Sequence, residues 1–468
     1  MKEKYLKYRI RLIVSGLCVV IMGAGCASRG EPIKPEEVAL PSQYERSIGA
    51  LEGISPLWWS HFGSRELERL IEEALALSPD LLSATEKIEQ AELSLKVAGA
   101  SLFPSLGLSG SSGEKASAPK GSSQFDSSHA SSTSLSLSYE LDLWGKIRAS
   151  KRAAEATLKV NRYDYETIKL SLIAGVAEGY FRYIATQERL ELARENLAIA
   201  ERLLKIVQER YRQGAVSALD VSSQTSTLLS QKASLKSLEL EERQYWSALA
   251  ILTGQAPQGF ALAGARLERV LIPRVEAGVP SDILRARPDV ASALAQIEAN
   301  EALVDVAYAS LFPTFSLTGA GGLASESLLS LADPTSTLSP SLGVTQNLLD
   351  GGKLRYALLA EQSKAKVALE SYKKTILVAL KEVEDALNAV YYGAEREKIQ
   401  EELIAQSKRS LGLAEIRYKE GLIDVSVLLD SQKTLFSAQD QGIQQRLTHL
   451  LALLSLHKAL GGGWQKSE

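Results

Sequence analysis

Ala100-Ser101-Leu102-Phe103-Pro104 returns unchanged as Ala309-Ser310-Leu311-Phe312-Pro313, a displacement of 209 residues. A run with helical character precedes each copy, and alternation with strand character follows it. Proline cannot continue a helix and biases the residue before it toward extended geometry. Pro104 and Pro313 therefore mark two helix-to-strand junctions.

The repeat extends outward from these junctions. Ser78-Pro79-Asp80 answers Arg287-Pro288-Asp289, and Gly145-Lys146 answers Gly352-Lys353. Farther on, Arg210-Tyr211-Arg212-Gln213-Gly214 answers Arg417-Tyr418-Lys419-Glu420-Gly421. A period this long is not that of a solenoid, so the chain reads as a duplicated half-molecule. The boundaries that follow are 78–257 for the first repeat and 287–460 for the second. A leader and equatorial segment at 26–77, a linker at 258–286 and a tail at 461–468 flank them.

Lys2, Lys4, Lys7, Arg9 and Arg11 precede an apolar run from Leu12 to Met22, then Gly23-Ala24-Gly25-Cys26. A basic start, a short apolar core and small residues before a cut site describe a signal peptide, residues 1–25. The run is too short to span a bilayer, which takes about 20 residues. Cys26 stands where a bacterial lipoprotein signal places its acylated cysteine, although Gly23 replaces the usual leucine; a plain cleavage site is the alternative. Ala27, rather than Asp, resembles the outer-membrane sorting pattern.

Loss of residues 1–25 removes five cations and Glu3, moving the formal net charge from −3 to −7. That acidity argues against nucleic acid as a partner. It also removes Cys18, Met1 and Met22, leaving Cys26 as the only sulfur-bearing residue. No intrachain disulfide can form. Soft-metal relays use cysteine and methionine ligands, so none is expected here.

In chain order, Trp58-Trp59 and Phe62 precede an amphipathic helix near Ser64–Leu77. A second helix starts with Ser78 as cap and Pro79 at its first position, and runs to about Ser101. Leu106 and Leu108 begin a strand. After a Ser/Gly-rich segment, 110–132, alternation resumes: Leu135, Leu137, Tyr139, Leu141 and Leu143 face one way. Ser134, Ser136, Ser138, Glu140 and Asp142 face the other. Such a strand, of about 11 residues, matches a tilted membrane-spanning one. Phe315 and Leu317, then Leu342, Val344 and Leu348, repeat the theme. Phe103, Trp144 and Phe312 fall at strand ends, where interfacial aromatics belong.

Gly145 to about Arg212, and Lys353 to about Lys419, lack proline and read as helices of about 68 residues, or about 100 Å. Turns at Gly214 and Gly421 send the chain back through helices near Ser217–Leu252 and Val425–Leu460. In each half, two shorter helices together equal the long one. Stacked end to end beside it, they would make a wall of uniform height.

Four amphipathic strands cannot close a barrel, and their edges would be unpaired in lipid. Copies must associate. Two chains would give a filled eight-stranded barrel, and three would give twelve strands and a lumen.

Trp58-Trp59 with Phe62, Val279-Pro280-Ser281-Asp282-Ile283-Leu284, Arg287-Pro288-Asp289, the two Leu-Phe-Pro junctions and the two Tyr-x-x-Gly turns carry a resemblance. With them the chain resembles the TolC-like outer membrane factors, and within them the lipoprotein (NodT-type) branch of tripartite drug-efflux systems. The resemblance implies a mainly α fold with a small transmembrane β part. It implies a homotrimer whose β-barrel, four strands per chain, continues into a long α-helical periplasmic barrel. Its partners would be outer membrane lipid, a periplasmic adaptor protein and an inner-membrane efflux pump. The function implied is an efflux duct for small molecules such as drugs, anchored by lipid in the outer membrane of a Gram-negative bacterium.

Carried over by position, Tyr211, Gly214, Asp220, Tyr418 and Gly421 form the periplasmic tip where the adaptor docks. Leu428-Leu429-Asp430 matches the pattern at the constriction, which makes Asp430 the pore gate. Ser426, one turn earlier, stands where relatives can carry a bulky apolar residue. Without the resemblance, Asp430 reads as a solvated helix charge.

An enzyme is disfavoured. His61, His129, His449 and His457 are scattered, and no paired-histidine metal motif, nucleophile elbow or phosphate loop occurs. Gly319-Ala320-Gly321-Gly322 reads as small residues on a curved strand. No cofactor is expected. A structural coiled-coil lipoprotein would leave the strands unexplained. A TolC-like duct for type I protein secretion shares the fold and stays open as an alternative.

Overall fold

The computed structural model describes residues 29, 31, 40–45, 55–118, 126–262, 266–273, 286–327 and 329–464. The signal, Cys26 and the Val279–Leu284 motif lie outside the described residues. A 3-10 turn, Trp58–Phe62, leads into α1 (Arg65–Leu77) and α2 (Pro79–Ala100). The strands β1 (Ser105–Ser117) and β2 (Asp126–Leu141) follow, then α3 (Lys146–Arg212) and α4 (Ala218–Leu252). The second half comprises α5 (Pro288–Ala309), β3 (Thr314–Ser325), β4 (Thr335–Thr345), α6 (Lys353–Lys419) and α7 (Val425–Ala459). The long helices α3 and α6 each have 67 residues, and the return helices α4 and α7 each have 35.

Contacts divide the chain into two units, each drawing on both repeats. One comprises Met1–Glu37, Lys87–Asn161 and Ser292–Tyr372, and the other Val38–Glu86, Arg162–Ala291 and Lys373–Glu468.

The first unit contains a four-stranded antiparallel sheet in the order β1-β2-β3-β4. Leu106 pairs with Leu137, Tyr139 with Leu317, and Leu317 with Leu342, which places these side chains on one face. Ser136, Ala320 and Ser339 line up on the other. The segment 110–132, expected to connect strands, is largely strand itself. Its serines pair across β1 and β2: Ser109 with Ser134 and Ser111 with Ser132, hydroxyl to hydroxyl at 2.9 Å. Serine's turn preference yields here to a cross-strand partner. β2 pairs with β3 only as far as Ser131 opposite Ser325, so the outer part of the β1–β2 hairpin is a two-stranded ribbon.

The second unit holds the largest apolar core. Trp58, Phe62, Leu67, Leu70, Ile71, Tyr180, Phe181, Ile184, Leu249 and Leu450 are fully buried and form one cluster. α1 joins it because Leu67, Leu70, Ile71 and Ala74 recur at helical spacing and Ser64 caps the start, accepting from the Leu67 N–H at 3.3 Å. Each return helix ends where a short helix begins. Gly254, at φ +72°, sits so close to the Leu77 carbonyl that a Cβ would lie 2.3 Å from it. Gly461, at φ +86°, stands the same way against the Ala286 carbonyl, at 1.9 Å. Both carbonyls precede the Ser-Pro or Arg-Pro pair that opens α2 or α5. Only glycine fits these seams.

Candidate functional site

The repeated pentapeptide makes the same turn twice. The Leu102 and Phe103 amides donate to the Gly99 and Ala100 carbonyls, and Leu311 and Phe312 donate to Tyr308 and Ala309. Pro104 and Pro313 then release the chain into β1 and β3. Phe312 stacks on Trp144 with centroids 4.9 Å apart, and the Trp144 indole N–H donates to the Pro313 carbonyl at 2.7 Å. Phe103 and Trp144 remain substantially exposed. The aromatics thus sit at the foot of the sheet, below an apolar face that exposes Leu106, Leu108, Leu135, Leu338 and Leu342. No described helix is long and apolar enough to cross a membrane.

The apolar face has an upper limit. Beyond Thr133 its positions are Ser112 and Ser131, whose hydroxyls bond each other at 2.8 Å. The β3–β4 loop folds onto them: Ser131 Oγ donates to the Ser327 carbonyl at 2.6 Å, and the Leu329 amide donates to Ser112 Oγ at 2.9 Å. From Leu141 to Thr133 the lipid-compatible stretch is about 9 residues, the length of a tilted spanning strand.

The two carboxylates expected on the polar face are both engaged. Lys146 Nζ donates to Glu140 Oε1 at 3.0 Å. Asp142 turns onto the start of α3, accepting from the Ile147 and Arg148 amides at 3.0 Å and from Arg148 Nε at 3.1 Å. Burial pushes the Asp142 carboxyl up, but these bonds outweigh it and hold it below its usual range. Asp350 does the same for α6, accepting from the Gly352 amide at 2.9 Å and the Leu354 amide at 3.0 Å. The two caps do not sit at the same spacing, since Asp142 lies four residues before Lys146 and Asp350 three before Lys353, so the repeat alone does not pair them.

In the second unit the Tyr-x-x-Gly turns prove to be helix stops. The Gly214 amide donates to the Tyr211 carbonyl and the Ala215 amide to Arg210, at 2.9 and 2.8 Å. Gly421 and Leu422 repeat this on Tyr418 and Arg417, at 3.1 and 2.9 Å. Both glycines have φ above +70°, so the spacing is that of a left-handed helix cap. Asp220 is used in building the first turn. Its carboxylate accepts from Ser217 Oγ at 2.7 Å and from the Ser217 amide at 2.8 Å, bonds that hold the acid below its usual range, while the Asp220 amide donates to Ser217 Oγ at 3.3 Å. In the second turn Asp424 caps α7, accepting from the Ser426 amide at 3.2 Å. Ser426 and Asp430 lie one helical turn apart on the exposed side of α7, while Val425 and Leu428 are buried. The guanidinium of Arg210 lies over the Tyr418 ring. Tyr211 is about half exposed.

A polar clasp around the Leu267–Arg269 turn had no signal in the sequence. Glu188 on α3 accepts from the Leu267 amide at 2.5 Å, and burial pushes its carboxyl up. Arg446 on α7 donates to the carbonyls of Leu267, Glu268 and Val270, at 3.3, 3.3 and 3.1 Å. Glu397 on α6 holds Arg446 at 2.8 Å and His449 at 2.7 Å; its bond to His449 is the main reason its carboxyl is held down. His449 is therefore partnered. So is His457, stacked on Trp58 at 4.8 Å with Nδ1 donating to the Leu453 carbonyl at 2.8 Å.

A sequence profile described as outer membrane efflux protein matches residues 70–255 and 279–462. The pyoverdine export outer membrane protein OpmQ of Pseudomonas aeruginosa is 36% identical over 462 residues, 95% of each chain. The probable efflux pump outer membrane protein TtgC of Pseudomonas putida is 30% identical, over 87% of this chain and 85% of its own. The crystal structure of the Campylobacter jejuni CmeC outer membrane channel superposes with a TM-score of 0.86. At 24% identity it covers 95% of this chain and 96% of its own, and it shows the shared fold.

Proposed function

The chain belongs to the outer membrane efflux protein family, whose members are channels of the Gram-negative outer membrane, and from that we propose that it works as a trimer. The observation that carries this is the pair of open edges on its sheet. Among the described residues β1 bonds only β2 and β4 bonds only β3, yet one face is apolar. Unpaired strand edges cannot face hydrocarbon, so β4 of one copy pairs with β1 of the next. Three copies close twelve strands around a lumen lined by the polar face. Exposed apolar side chains on the helices beneath support the same association. Leu93 and Val97 on α2, and Tyr356, Leu359 and Val367 on α6, need a neighbour to cover them.

The duct so formed passes small molecules, drugs among them, delivered by an inner-membrane pump through a periplasmic adaptor. Two of the relatives are named for efflux or for pyoverdine export, which supports this cargo class. The turns at Tyr211–Gly214 and Tyr418–Gly421 are the adaptor-facing tip. Asp430, with Ser426 a turn before it, narrows the passage there, and acylated Cys26 adds a lipid anchor. Native mass spectrometry of the detergent-extracted protein tests the assembly. Three chains per particle are expected; a stable single copy would sink the conduit.

A further inference from the structure

Across the span where β2 pairs with β3, the polar face of the sheet carries serine, threonine, glycine and alanine, with one ionisable exception among the described residues, Glu140. Glu140 shares its row with Ser138 and Ser136 and so projects to the same side. It is 41% exposed, and Lys146, the first residue of α3, is 36% exposed and 3.0 Å away. The repeat makes no second such pair. Lys353 corresponds to Lys146, but Asn347 stands where Glu140 would be. Lys146 is therefore assigned to one carboxylate, where the hydroxyl-lined wall passes from β2 into α3.

We propose that Lys146 is a selectivity-determining residue, which cancels Glu140 so that the strand section of the conduit is electrically neutral. The proposal rests on the trimeric conduit above, since only there does the polar face line a lumen. In a trimer, three bare Glu140 carboxylates would form a ring of like charge, the arrangement that selects cations in pores. With each paired at contact distance, little field reaches beyond the Debye length of about 8 Å. The exit then admits solutes of either sign and interacts with them through hydroxyls. The cargo class that fits is polar, hydrogen-bonding solutes, anionic and cationic alike.

The test measures reversal potentials of the purified trimer in planar bilayers under a KCl gradient, for wild type, Lys146→Gln, Glu140→Gln and the double variant. Lys146→Gln raises the K⁺ to Cl⁻ permeability ratio about twofold or more, Glu140→Gln lowers it, and the double variant returns it to the wild-type value. Both single variants unchanged, or both shifted the same way, overturn the proposal. A second reading reaches the wall from the outer mouth whatever the state of the tip. In a Ser138→Cys background, cationic and anionic methanethiosulfonates react at rates whose ratio rises several-fold in favour of the cation when Lys146→Gln is added. An unchanged ratio again overturns it. A wild type that runs as a single copy and never conducts removes the trimeric conduit itself, a result distinguishable from either.

Discussion

The guanidinium of Arg210 lies 4.4 Å from the centroid of the Tyr418 ring, joining the last turn of α3 to the last turn of α6. The two residues come from different repeats, so this contact breaks the internal symmetry at the helix ends. An exposed cation–π contact contributes about 0.5–1 kcal/mol. On the proposed placement of these turns at the periplasmic tip, Arg210→Ala should loosen the contact between the ends of α3 and α6 without unfolding the chain. Single-channel recording is expected to show a higher open probability, with the melting temperature within a few degrees of wild type.

Asp430 lies on the exposed side of α7, opposite the buried Val425 and Leu428. Three such carboxylates around an axis repel one another and attract cations. Asp430→Ala should raise single-channel conductance and lower the preference for potassium over chloride. If both stay at wild-type values, Asp430 is an ordinary solvated helix charge.

Acid should act on His457. Burial pushes its imidazole down to about 4, with a smaller push from His61, while the bond to Leu453 works the other way. The unfolded chain takes up the proton near the ordinary value of about 6.5. Between those values the unfolded state binds more protons than the folded one, so stability falls as pH drops from about 6.5 to 4, by up to about 3 kcal/mol per chain. His457→Phe keeps a ring against Trp58 and should flatten that part of a melting-temperature profile against pH. An unaltered slope would show that another group carries the acid sensitivity.

Arg446→Met should weaken the second unit. It frees three carbonyls around Leu267 and leaves Glu397, whose side chain is 13% exposed, with His449 alone. Losses of this kind run to about 2–4 kcal/mol. Thermal unfolding followed by circular dichroism should show a clear drop, with a smaller one for Glu397→Gln.

Much of this was legible in the residues, for identifiable reasons. Pro79, Pro104, Pro288, Pro313, Gly214 and Gly421 punctuate the helices through backbone chemistry that acts locally, so both repeats could be traced from them. The serine-rich ribbon was misread because Ser109 and Ser111 find their partners, Ser134 and Ser132, only once the register is known. The same holds for Glu140 and Asp142. Alternation places Glu140 on the polar face, where it stands, but does not show that Lys146 pairs with it or that Asp142 turns onto the start of α3. The clasp of Glu188, Arg446, Glu397 and His449 draws on three helices and could not be inferred from any one of them. Asp220 carries two readings, because the residue that suits a docking surface is also the one that closes the Ser217 capping box.

The seams at Gly254 and Gly461 have a mechanical consequence. Each is a butt joint, two rods meeting with nothing between a glycine and a carbonyl, and a butt joint resists compression better than bending. At the first seam the stiffness comes from alongside: Leu172 to Ala185 of the unbroken α3 pack in one core with Leu249 and Ala250 on one side of the joint and Leu81 on the other. The long helix is thus a splint, carried unbroken past the joint and packed on both of the shorter rods.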